Sequence, residues 1–151
     1  MRALLFSSLF ISMSAFAACP DLSGSFKICK SNSDDSSPST DMVITQVVKS
    51  GIMTYTVAST SAEGERISEI YIADGKTRSQ NQVDPETGLE FTFSQNVVCI
   101  GSSLKVKVGV KVPEQNIADL TMLATKTGQR LTMVTTGTML EQPVSETEIC
   151  E

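Results

Sequence analysis

The sequence predicts an all-β fold: an antiparallel meander of about eight to nine strands, in a small closed or nearly closed barrel, held by two disulfides. Three observations carry this expectation. Apolar and polar residues alternate over short segments, the period of half-buried strands. Clusters of Gly, Pro, Asp, Asn and Ser separate those segments every 8–12 residues or about that. No stretch shows a helical period of useful length. A chain of 151 residues suits one domain. The expected division is a signal peptide over residues 1–17 and a single β-barrel domain over 18–151.

The amino terminus has the pattern of a secretory signal. Met1-Arg2 is a short positive start, residues 3–13 are mainly apolar, and Ala15-Phe16-Ala17 places small residues at the cleavage positions. The apolar run is shorter than the ~20 residues that cross a bilayer, and no later segment reaches that length. Export to a periplasm or to the exterior is the expected localisation. A minor alternative is a lipid anchor at Cys19, because Phe16-Ala17-Ala18-Cys19 resembles a bacterial lipoprotein box.

The elements then follow in order. Residues 22–30 read as the first strand, and the polar run 31–40 as a loop. Residues 41–49 are rich in Val and Ile. Ser50-Gly51 turns the chain into 52–59, where Met53, Tyr55 and Val57 share a face. A polar loop, 60–65, precedes strand 66–73. Asp74-Gly75 is a hairpin signal leading into the polar strand 76–82. After the turn cluster 83–88, residues 89–100 form the most apolar strand. In 104–112, Leu104, Val106, Val108, Val110 and Val112 alternate with Lys105, Lys107 and Lys111. A turn at 113–116 leads to strands 117–127 and 129–138, and residues 140–151 read as an acidic tail ending near Cys150.

All four cysteines, Cys19, Cys29, Cys99 and Cys150, lie beyond the signal, so an oxidising compartment implies two disulfides. An extended 22–30 would hold Cys19 and Cys29 roughly 30 Å apart at ~3.3 Å per residue. A disulfide needs Cα atoms within about 7 Å. Of the three pairings, Cys29–Cys99 within the sheet with Cys19–Cys150 across the tails is the expected one. Each would close a long loop, worth about 4 kcal/mol in the chain-entropy model.

Charge and composition narrow the chemistry. The formal net charge of −5 argues against nucleic acid as a partner. The chain has no His, so imidazole catalysis and His-ligated metals are excluded. No cysteine pair has zinc-site spacing, and no cofactor or metal is expected. Ser102-Ser103-Leu104-Lys105 matches the S-x-x-K spacing of some serine enzymes, but in a turn entering a strand rather than on a helix. The acidic pairs at Asp34-Asp35 and Asp84-Pro85-Glu86 lack calcium-loop spacing and read as solvated turns. The lysines of 104–112 read as a solvent face that deters edge pairing. Met42, Met53, Met122, Met133 and Met139 serve either a packed core or an adaptable apolar cavity, the core being favoured.

Leu22-Ser23-Gly24-Ser25-Phe26 resembles the Gly-x-Trp opening of lipocalins and related calycin barrels, with Phe26 in the Trp position. The strand pattern is similar to theirs as well. The resemblance implies a cup-shaped barrel around a small apolar ligand. The expected function is therefore binding rather than conversion, by a secreted or periplasmic protein. Alternation selects Met53, Tyr55, Phe91, Phe93, Val106 and Val108 as inward-facing ligand contacts. The alternative is a structural, interaction or inhibitor module acting through the loops at 31–40 and 60–65.

Overall fold

A computed structural model describes residues 19–27, 29–32, 41–60, 64–85 and 87–151. The signal segment, Asp34-Asp35, Glu86 and most of the two polar loops lie outside the described residues. Eleven antiparallel strands are described, and no helix. They are β1 (Gly24–Phe26), β2 (Cys29–Ser31), β3 (Asp41–Lys49), β4 (Ile52–Thr60), β5 (Arg66–Ile72) and β6 (Thr77–Val83). The rest are β7 (Glu90–Ile100), β8 (Ser103–Val112), β9 (Gln115–Thr127), β10 (Arg130–Met139) and β11 (Gln142–Cys150).

Two sheets face each other. The smaller has the order β1-β3-β4-β5, and the larger β2-β11-β10-β9-β8-β7-β6. From β6 to β11 each strand pairs with the next, the meander that the short links predict. The two sheets do not close into one barrel. The amino-terminal strand bridges them on one side: β1 pairs with β3, while β2 pairs with β11. At the crossing, Lys27 N donates to Glu151 O at 2.8 Å. One extended segment thus serves both sheets, which is why residues 22–30 appear as two short strands.

The second departure from expectation is the carboxy-terminal tail. It forms β11, a full partner of β10 from Met139↔Gln142 to Leu131↔Cys150. The third is the Asp74-Gly75 turn. Gly75 has the positive φ expected of it, 72°. Yet β5 and β6 are not a hairpin and belong to different sheets. Gly75 N donates to Val97 O at 3.0 Å, and Asn96 Nδ2 donates to Gly75 O at 2.7 Å. These bonds draw the turn onto β7 and direct β5 and β6 apart.

The disulfide pairing corrects the expectation: the bonds are Cys19–Cys99 and Cys29–Cys150. Cys29 and Cys150 face each other directly in the β2–β11 ladder. Cys29–Cys99 is precluded by the sheet order, in which β11, β10, β9 and β8 separate β2 from β7. Adjacent strands lie about 4.8 Å apart, so that separation far exceeds the reach of a disulfide. With Cys29 taken by the tail, Cys99 is left for Cys19. Two disulfides are characteristic of proteins that mature in an oxidising compartment.

The core lies between the sheets. Phe26, Ile44, Tyr55, Val97, Leu104, Val106, Ala124 and Leu131 belong to it, together with the buried Cys29–Cys150 bond. The alternation in β8 holds as read: Leu104 and Val106 are buried, and Lys107 and Lys111 are exposed. No helix among the described residues is long and apolar enough to cross a membrane.

Candidate functional site

A cavity of about 280 Å³ lies between the two sheets. Its lining follows from strand register. On the small sheet, Met42, Ser59 and Ile67 align across β3, β4 and β5. The next inward row is Ile44, Val57 and Glu69, and the one after it contains Tyr55 and Tyr71. On the large sheet, Leu104, Ala124, Met133 and Glu148 form one row across β8, β9, β10 and β11. Met122 lines the cavity from the adjacent row, opposite Val106. Leu22, ahead of β1, completes the apolar wall. Because side chains alternate along each strand, these rows present one face to the gap. Three methionines give the wall an adaptable surface, since an unbranched thioether can change rotamer at little cost.

The polar groups are few. Tyr55 is fully buried, and its hydroxyl donates to Pro20 O at 2.7 Å. Burial pushes its hydroxyl up to about 12, with the Asp21 charge contributing further. The Tyr71 hydroxyl donates to Glu69 Oε2. Burial, and then the bond to Glu69 and its charge, raise Tyr71 above its ordinary value. Glu148 is half-buried, and its carboxyl is raised by desolvation first and by the negative charge of Glu146 second. Glu146 in turn accepts a bond from Ser31 Oγ at 2.5 Å. Among the described residues, no lysine or arginine lines the cavity. Lys126 is engaged elsewhere, donating through Nζ to the Ser23 carbonyl.

The six contacts expected from alternation separate in space. Tyr55 lines the cavity. Val106 is buried in the core beside it. Val108, one step farther along β8, packs against the core but does not line the cavity. Met53 also packs on the core, but it lines a different hollow with Cys19, Ala73 and Cys99. That hollow is larger, about 680 Å³, and opens among exposed Val48, Gly51 and Lys76 at the surface. Phe91 and Phe93 are half-exposed, opposite Gln82 and Gln80 of the wholly exposed β6. Of the five methionines, Met42, Met122 and Met133 line the cavity, and Met139 is exposed.

Glu69, Tyr71 and Glu148 were not anticipated as site residues. The signal for Glu148 was available: in a strand ending at an inward Cys150, the residue two positions earlier also points inward. Cys29, Glu148 and Cys150 bring a carboxylate and two sulfurs together, but both sulfurs are bonded to each other. That leaves a single carboxylate as a metal donor there. Ser102 sits in the turn between β7 and β8, and Lys105 points to the outer face of β8, opposite in direction to Leu104. No family model matches the chain, and no curated protein matches it in sequence.

Proposed function

We propose that this is an exported binding protein that holds a small apolar ligand between its two sheets. The observation that supports the reading is the cavity between the sheets, walled by Leu22, Met42, Ile44, Val57, Leu104, Met122 and Met133 and open to solvent beside exposed Ile67 and Glu69. Its volume of about 280 Å³ is near the lower end of small-molecule sites, which run from about 300 to 1,000 Å³. A compact ligand fits that space better than a long acyl chain does. The role would be lipocalin-like, with the cup formed by two facing antiparallel sheets. The signal-like amino terminus and the disulfides support export.

The test is binding of N-phenyl-1-naphthylamine, an uncharged dye whose emission rises in apolar surroundings. A single saturable site is expected. Ala124 lines the cavity at 4% exposure, so Ala124→Leu fills it and should abolish the signal while circular dichroism stays that of the wild type. Val110→Leu, on the same inward face but away from the cavity, should leave binding intact. Unchanged binding by a folded Ala124→Leu variant would remove the cavity from consideration.

A further inference from the structure

We infer that the ligand of this cavity is a small organic cation, an amine with an apolar body, whose ammonium group pairs with Glu148 in the cavity wall. The inference rests on the binding role proposed above and names the class of ligand. It starts from an imbalance in the lining. Two carboxylates, half-buried Glu148 and exposed Glu69, come from the facing sheets, and among the described residues no basic side chain accompanies them. Glu69 already accepts the Tyr71 hydroxyl. Glu148 has neither a hydrogen-bond nor an ion-pair partner among the described residues. It stands in the row Leu104, Ala124, Met133, with the Cys29–Cys150 sulfurs as further neighbours.

Glu148 is half-buried and its oxygens still reach solvent; partial desolvation of a carboxylate without a partner costs stability, a cost that a cation in the cavity would offset. Its raised affinity for a proton has the same origin, desolvation and the Glu146 charge. An anionic ligand would meet repulsion from both walls. A wholly apolar one would bury Glu148 further and leave it unpaired. An ammonium brings N–H donors and a compensating charge to that carboxylate. Its apolar body would meanwhile lie against Met42, Met122 and Met133. Tyr71 and Glu69, already bonded, add negative potential from the opposite wall.

The experiment displaces N-phenyl-1-naphthylamine from the wild-type protein with hexylamine, hexanol and hexanoate at pH 7. The three share one chain and differ in head group. Hexylammonium is expected to displace the dye at a concentration at least about ten-fold below hexanol, the effect of one charge-assisted hydrogen bond. Hexanoate should be weakest. Glu148→Gln should bring hexylamine and hexanol within about two-fold of each other, and Glu69→Gln should reduce the preference in part. If the dye binds and hexanol equals hexylamine, the cavity stands and the cationic ligand is overturned. If wild-type protein fails to bind the dye or any of the three, the binding role falls and this inference falls with it. A preference that survives Glu148→Gln would also overturn it, because the charge that matters would lie elsewhere.

Discussion

The inward face of β7 and β8 passes through two environments. At one half, Val97, Leu104 and Val106 are 1–3% exposed under the small sheet. At the other, Val110, Val112, Phe91 and Phe93 keep the same alternation and remain partly exposed. The residue types differ little; what changes is the opposing layer. Alternation along a strand therefore identifies a side, while burial requires a second surface at that point of the strand. Only the covered half borders the cavity, so the ligand contacts divide along the same line.

The largest contrast should come from one substitution made in each half. Val106→Ala removes buried methyl groups and should cost about 2 kcal/mol of unfolding free energy. Val110→Ala, the same change two alternations along the same face, should cost less than about 1 kcal/mol. Urea unfolding with both disulfides intact measures the pair. Equal losses would mean that the two halves are equally packed.

A smaller effect sharpens the comparison at the covered half, where the amino-terminal segment is tied down. Tyr55→Phe leaves the Pro20 carbonyl without its donor and should cost about 1 kcal/mol. The same hydroxyl predicts a pH dependence. Its folded-state value, about 12, lies above the ordinary value of about 10. The unfolded chain therefore releases this proton first. The contribution is fully present below about pH 10 and is lost as pH rises toward and through about 12. In the Tyr55→Phe variant this part of the alkaline destabilisation should be missing. An unchanged alkaline limb would show that other groups control it.

Local pattern was sufficient where a strand's partners are its chain neighbours. The alternation of β8 and the Ser50-Gly51 turn, with φ of 51° and 77°, could be read directly. Features that depend on distant partners were not legible. The amino-terminal strand divides at Lys27, with neither Gly nor Pro there to mark the break. The change of sheet comes from successive pairing, Gly24–Phe26 with β3 and Cys29–Ser31 with β11. The β11 segment carries Pro143, Glu146 and Glu148, residues with weak strand preference, and is held by pairing with β10 and by Cys29–Cys150. A tail at these positions implies neither the Cys29–Cys150 pairing nor an inward Glu148. Met42, Met122 and Met133 were recognisable as possible lining, but nothing local separates them from Met139. Their distinction comes from which stretch of the large sheet the small one covers.

That distinction supplies the most direct measurement. Methionine methyl groups labelled with ¹³C report separately on the cavity, through Met42, Met122 and Met133, and on the exposed end of β10, through Met139. The spectrum is recorded during titration with N-phenyl-1-naphthylamine, whose rings shift nearby methyl resonances. Saturable shifts are expected at Met42, Met122 and Met133, with Met139 unmoved. Shifts confined to Met139, or no shift at the three cavity methyls under saturating dye, would contradict that expectation.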